Sequence, residues 1–142
     1  MPQASAGRLQ SPDDPSLRAK ALILVVERDP YVRELEAFFL GQAGYAVQFA
    51  NDGEDARELA RSIQPDILIT EILVPKLDGL ALCRSLKADP ETGGIAVLIF
   101  SILAASGRAR EAGADAFLMK PLAEQKLIDV VRRLLAMERE NA

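Results

Sequence analysis

Short apolar runs recur along the chain, and each is followed by a segment with helical spacing of apolar residues. The first run, ALILVV at 21–26, is continuous and aliphatic, as expected for a strand covered on both faces. Four further runs occupy 45–50, 66–71, 95–100 and 115–119. Strands that alternate with helices form parallel sheets with helices on both faces. We therefore predict an α/β fold, a doubly wound parallel sheet built from five strand–helix pairs.

The segments between the runs carry helix signals. Asp29 and Pro30 offer an N-cap and a first helical residue, and Asp52 and Gly53 open a second helix. A short fourth helix fits 104–112. The predicted core face of the first helix is Val32, Leu35, Phe38 and Phe39, and that of the last is Leu127, Val130, Val131, Leu134 and Leu135. Cys83 lies on the apolar face of the third helix, where a small core residue is expected.

The amino-acid composition argues against several classes of functional site and partner. The 142 residues include no histidine and one cysteine, which excludes a disulfide framework, a zinc cluster and a Ser-His-Asp site. Seventeen basic and 21 acidic residues give a net charge of −4, which argues against a nucleic-acid surface. No apolar run is long enough to span a membrane. We expect a cytoplasmic protein that is no enzyme, holds no cofactor and binds neither nucleic acid nor membrane.

Two regions differ in composition. Residues 1–19 contain three prolines, three serines and few apolar residues, which predicts a flexible leader or the remnant of a tag. Residues 20–142 form the predicted domain.

Polar side chains follow four of the five predicted strands. Glu27 and Arg28 follow the first, Glu71 ends the third, Ser101 follows the fourth and Lys120 the fifth. Ligands of open parallel sheets bind at the carboxyl ends of the strands, where these side chains would meet. We expect a charged site at this edge.

The stretches ILVVERDP, PDILITEILVPKLDGLALCRSL, IAVLIFS and AGADAFLMKP stand in the order typical of one family, with a shorter segment than usual between Ser101 and Gly113. With them, residues 20–137 resemble a response-regulator receiver domain of two-component signalling. The resemblance implies a flavodoxin-like (βα)5 sheet of strand order 2-1-3-4-5. It also implies a signalling partner, a histidine kinase or a downstream effector, and a homodimer through the fourth helix, fifth strand and fifth helix.

Receivers accept a phosphoryl group on an aspartate after the third strand, with magnesium bound by acidic residues after the first. A hydroxyl after the fourth strand and a lysine after the fifth bind the phosphoryl group, and an aromatic residue in the fifth acts as a switch. By resemblance, Ser101, Phe117 and Lys120 occupy the hydroxyl, aromatic and lysine positions. The chain departs from the family at the centre of this chemistry: Glu71 stands at the phosphoacceptor position, and Glu27 and Arg28 at the acidic-pocket positions.

These departures predict a changed site. Arg28 removes a carboxylate from the magnesium position, and its guanidinium would instead neutralise Glu71 or Glu27. Asp29 could replace the lost ligand, but it fits better as the cap before Pro30. Glu71 reaches about 1 Å further than aspartate, and a displacement of about 1 Å can slow phosphoryl transfer ~10²-fold.

Three hypotheses follow. The first is an atypical receiver, or pseudoreceiver, that acts as a protein–protein interaction module without regulated phosphorylation, with Glu71 either a mimic of phosphoaspartate or part of a degenerate site. The second is a conventional magnesium-dependent receiver of a phosphorelay. The third, a small flavodoxin-like cofactor-binding protein or enzyme, lacks a glycine-rich phosphate loop and a general base. Glu71 could also be a salt-bridged strand-end residue with no signalling role.

Overall fold

The computed structural model describes residues 19–140, so the predicted leader at 1–19 lies outside the described residues except for Ala19. Five parallel strands form one sheet in the order β2-β1-β3-β4-β5. The strands are β1 (Leu22–Val26), β2 (Ala46–Ala50), β3 (Ile67–Thr70), β4 (Ala96–Ser101) and β5 (Ala116–Met119). The predicted class, strand number and strand order are confirmed.

Five helices connect and follow these strands. They are α1 (Pro30–Gln42), α2 (Gly53–Ile63), α3 (Gly79–Ala88), α4 (Ser106–Glu111) and α5 (Glu124–Glu140). Asp29 and Asp52 accept hydrogen bonds from the first-turn amides of α1 and α2, as predicted for N-caps. No helix within residues 19–140 is long and apolar enough to cross a membrane.

The core consists of two apolar layers, one on each face of the sheet. Alternate residues of β1 point to opposite faces, so that Leu24 packs in one layer and Val25 in the other. Helices α2, α3 and α4 cover the first layer, and Cys83 is fully buried there as predicted. Helices α1 and α5 cover the second. Because both faces are covered, strands β1, β3 and β4 are apolar except for Thr70 and Ser101 at the ends of β3 and β4, which explains the continuous runs in the sequence.

The buried face of α1 differs from the prediction. Phe38 was expected in the core but is 59% exposed, whereas Glu36 is 0% exposed and lies one turn before the buried Leu40. Apolar residues occur on more than one side of this helix, so spacing alone does not determine which side meets the sheet. The packing of α1 against the sheet therefore buries a carboxyl group that the sequence pattern assigns to solvent.

Gly79 sets how closely α3 approaches the end of β3. Its amide donates to the Ile72 carbonyl oxygen at 2.9 Å, and an added Cβ would overlap with the Glu71 carbonyl oxygen and lie 2.9 Å from Ile72 Cα. Since backbone atoms cannot move aside as a flexible side chain can, only glycine fits here. The close approach positions the backbone that carries Glu71.

We predict that Gly79→Ala lowers the free energy of unfolding by about 1–3 kcal/mol, because the added methyl group overpacks this contact. Gly41→Ala is the matched control, since a Cβ at this helical position meets no atom within 4 Å. It should raise the free energy of unfolding by about 0.5–1 kcal/mol through helix propensity. Urea denaturation of both variants measures the difference, and equal effects would contradict the close-approach argument.

Candidate functional site

The carboxyl edge of the sheet brings four of the predicted site residues together. Glu27 follows β1, Glu71 follows β3, Ser101 ends β4 and Lys120 follows β5. The two glutamates and the serine are buried, and the Lys120 side chain is 12% exposed. The parallel arrangement delivers these groups to one edge, as the sequence predicts. We call Glu27, Glu71, Ser101 and Lys120 the charged cluster.

The Glu71 carboxylate is surrounded by donors. Its Oε1 accepts a short hydrogen bond from the Ser101 hydroxyl and another from its neighbour's amide, Ile72 N, at 2.6 Å. Its Oε2 lies 3.1 Å from Ile102 N and 3.1 Å from Lys120 Nζ. The two carboxylate oxygens are therefore bound by donors from the end of β4 and from the loops after β3, β4 and β5.

These donors decide the charge of Glu71. Burial alone would raise the pKa of its carboxyl group, but the hydrogen bonds from Ser101, Lys120 and Ile72 N outweigh burial and hold the pKa below its usual range. Glu71 is accordingly a carboxylate at neutral pH. The stability that depends on this carboxylate is present above the usual glutamate pKa and is lost as the pH falls through the lowered value.

Lys120 joins the two carboxylates. Its Nζ lies 2.9 Å and 3.0 Å from the two carboxylate oxygens of Glu27, in addition to its contact with Glu71. Burial alone would lower the pKa of Lys120, but its hydrogen bonds to both glutamates hold the pKa above its usual value. One cation therefore compensates two buried anions. The peptide bond from Lys120 to Pro121 is cis.

Arg28 does not belong to the charged cluster, contrary to the prediction that it neutralises Glu71 or Glu27. Its side chain is exposed and forms no ion pair with another residue in 19–137. The reason is electrostatic: Lys120 already pairs with both Glu27 and Glu71. The guanidinium of Arg28 therefore stays in water, where its charge is hydrated. Asp29 caps α1 by accepting from Tyr31 N at 2.9 Å, which is the role favoured by the sequence.

The residues present do not fit the magnesium site implied by the resemblance. Magnesium takes near-octahedral oxygen ligands, of which carboxylates are the protein's main contribution. Here Lys120 Nζ lies within 3.1 Å of both Glu27 and Glu71, and Arg28 stands where the resemblance implies a second acidic residue. Within residues 19–137, no group of three or more carboxylate, histidine or cysteine side chains is placed to hold a metal ion. An ammonium group stands where the two carboxylates would face a cation.

Phe117, predicted as the aromatic switch position, lies apart from the charged cluster. It is half-buried in β5, packs against the layer under α4, and borders a cavity of about 200 Å³ together with Ser106 and Arg110. Helix α4 has only six residues, in agreement with the short segment that the sequence predicts. The switch role remains a prediction.

Glu36 was missed by sequence reasoning. It is fully buried on α1, and burial together with the nearby Glu27 raises the pKa of its carboxyl group to about 8. The available signal was weak: Glu36 stands one turn before Leu40, in line with it on the helix. Sequence patterns usually assign polar residues to the solvent side of a helix, so the pattern predicts that Glu36 is exposed.

Comparison with known proteins gives consistent matches. The model of the response regulator receiver domain family matches residues 23–132. The DNA-binding dual master transcriptional regulator RpaA of Synechocystis is 35% identical over 116 residues, covering 80% of this chain and 48% of RpaA. Response regulator MprA of Mycobacterium leprae is 39% identical over 114 residues, covering 80% of this chain and 50% of MprA. The crystal structure of the signal receiver domain of a histidine kinase from Syntrophus aciditrophicus has a TM-score of 0.76 at 35% identity, covering 82% of this chain and 90% of that one.

The partner prediction based on net charge is wrong. The chain spans about half the length of RpaA and MprA, and RpaA is named as a DNA-binding regulator. The charge of −4 describes only these 142 residues. It therefore does not exclude nucleic acid as a partner, because a receiver-like region and a DNA-binding region can occupy different halves of one protein.

We predict that Lys120→Met lowers the free energy of unfolding by about 3–5 kcal/mol, because it leaves two buried carboxylates without a cation. Lys76→Met is the control, since the Lys76 side chain is 66% exposed and lies 3.5 Å from Asp52; its loss should be much smaller. In a double-mutant cycle, Lys120→Met and Glu71→Gln should be non-additive by about 0.5–3 kcal/mol. Additive losses at pH 7 would contradict the shared-cation arrangement.

Proposed function

The chain belongs to the response-regulator receiver domain family of two-component signalling, and we propose that it signals without accepting a phosphoryl group itself. In this proposal it is a protein–protein interaction module rather than an enzyme. Its response to a partner depends on the arrangement of the charged cluster in which Glu71 binds Ser101 and Lys120. A cytoplasmic location is part of the same proposal, because a relative named as a DNA-binding regulator meets DNA there.

One observation carries this proposal: the Glu71 carboxylate already occupies the donors at the phosphoacceptor edge. The Ser101 hydroxyl, the Lys120 ammonium group and the amide of Ile102 all bind its oxygens. The resemblance assigns the hydroxyl and the lysine to the binding of a phosphoryl group. A carboxylate one methylene longer than aspartate thus supplies a permanent negative charge to the same donors, which is the behaviour expected of a mimic.

The same contacts oppose transfer. An acceptor carboxylate must place one oxygen in line with the incoming phosphorus, with a metal ion neutralising the charge that develops. Both oxygens of Glu71 are engaged, and Ile72 N holds Oε1 at 2.6 Å against the chain's own backbone. Lys120 neutralises charge at this edge, but it is already shared with Glu27.

A conventional phosphoacceptor receiver is the second candidate. It is favoured by the relatives, since MprA is named a response regulator and matches over 80% of this chain. The presence of Ser101 and Lys120 at the expected strand ends supports it as well. The two candidates differ in one observable, the covalent labelling of residue 71. The cofactor-binding or enzyme hypothesis has no support of this kind.

We predict that incubation with acetyl phosphate and magnesium leaves the intact mass of the unaltered protein unchanged. Arg28→Asp with Glu71→Asp restores an acidic ligand and an acceptor of family length, so this double variant should acquire a phosphoryl adduct. Arg28→Asp alone is the matched control, because it repairs the pocket and keeps Glu71; it should stay unlabelled. An adduct mapped to Glu71 in the unaltered chain would establish the second candidate.

We predict that millimolar magnesium raises the melting temperature of the double variant in a saturable way and leaves that of the unaltered protein unchanged. The reason is that the unaltered protein has Arg28 beside two carboxylates that Lys120 already neutralises, whereas the double variant adds a carboxylate at position 28 and shortens the one at position 71. Differential scanning fluorimetry measures both, and calcium is a useful second ion because it tolerates irregular geometry. A saturable shift in the unaltered protein that Glu27→Gln abolishes would show that the site does accept the metal.

A further inference from the structure

Glu36 is the most unusual side chain outside the charged cluster. It is 0% exposed, and neither carboxylate oxygen has a hydrogen-bond partner among the described residues. An ionised carboxylate without a partner is very costly in an apolar interior, so such a group takes up a proton instead. Glu36 therefore lies in the core as a neutral acid.

The groups around Glu36 include most of the charged cluster. Glu27 and Glu71 act on it as like charges, while Lys120 and Arg33 act as opposite charges. Arg33 lies on the same helix and places its guanidinium over the Phe49 ring of β2, 4.7 Å from the ring centre. The buried residues of α5 on this face are apolar, for example Leu127 and Val131. Lys120 is thus the cation with which an ionised Glu36 would interact most strongly.

A neutral Glu36 leaves Lys120 to two carboxylates, whereas an ionised Glu36 would be a third. Coulomb interactions at short range are strong in a partly buried site, so a third anion would draw Lys120 towards α1 and repel Glu27. Lys120 would then hold Glu71 less firmly, and the amides that bind the Glu71 carboxylate would shift with it. Because Glu36 is buried and acts on Glu27, Glu71 and Lys120, the loss of its proton would change the charge balance of the charged cluster.

We propose that Glu36 is a proton-operated switch of the charged cluster: protonated, it lets Lys120 hold Glu71, and deprotonated, it competes for Lys120 and loosens that hold. The inference rests on the proposed function, in which the state of Glu71 is the signal. Its ligand is the proton. A rise in pH through weakly alkaline values would therefore weaken the built-in signal.

The pKa of Glu36, raised to about 8 by burial and by Glu27, places this switch just above neutral pH. Between the ordinary glutamate pKa and about 8, the folded chain keeps a proton that the unfolded chain has lost. Stability therefore falls as the pH rises through this interval, and it becomes independent of Glu36 above the folded-state pKa.

The first test compares stability across pH. The folding constant of the unaltered protein relative to that of Glu36→Gln should fall about tenfold per pH unit between about pH 5.5 and 7.5, because one proton is linked to folding. Glu36→Leu should remove the same dependence, which guards against a Gln variant that folds poorly. Glu34→Gln is the matched control, since Glu34 is exposed on the same helix; it should keep the dependence. A parallel pH dependence in the unaltered protein and Glu36→Leu would overturn the proposal.

The second test follows the switch itself by nuclear magnetic resonance. The side-chain carboxyl carbon of Glu36 should titrate with a midpoint near pH 8, and the amides of Ile72 and Ile102 should shift with the same midpoint. In Glu36→Gln these two amides should show no such transition. A Glu36 midpoint in the ordinary glutamate range, or amides that do not follow it, would overturn the proposal. Phosphoryl labelling of Glu71 would refute the proposed function alone, because the Glu36 titration is measured without a phosphodonor.

Discussion

One lysine between two buried carboxylates is the interaction on which the site depends. Lys120 lies within 3.1 Å of oxygens from Glu27 and Glu71, and all three side chains are largely withdrawn from water. Removing ions from water is costly, and the cost is offset only where geometry and additional hydrogen bonds are good. The parallel sheet meets this condition, since it ends β1, β3 and β5 at one edge and supplies Ser101 from β4. Any change that moves one of these strand ends alters all the charges together.

Glutamate at position 71, where the resemblance places an aspartate, has a structural consequence beyond charge. The extra methylene lets the carboxylate fold back over its own chain, where Ile72 N binds it, while Ser101 and Lys120 bind it from the neighbouring strands. Arg28, by contrast, is exposed, so its guanidinium does not neutralise the two buried carboxylates. The ammonium group of Lys120 does this alone. In the proposed function, the groups that the resemblance assigns to phosphate binding hold an internal anion instead.

The burial of Glu36 fits poorly with the rest of a well-packed domain. Its surroundings favour an apolar residue, because Glu36 stands in line with Leu40, which packs against a sheet face lined by apolar side chains. Natural sequences usually violate such rules at functional places and carry the cost in stability. Glu36 lies beside the charged cluster rather than elsewhere in the core. The stability cost of burying its carboxyl group is therefore connected with the site.

The sequence by itself determined the class of fold, the number of strands and the edge at which the polar groups gather. Apolar runs that alternate with amphipathic segments permit little else, and the order of the strands followed from the family motifs. Only the tertiary structure decided the direction of individual side chains. Arg28 and Phe38 are exposed and Glu36 is buried, contrary to the sequence predictions. The reason is that the side of a helix or strand end that faces inward depends on packing against distant elements. The spacing of apolar residues along the chain indicates whether a segment is a helix or a strand. Only its contact with the sheet determines which side is buried.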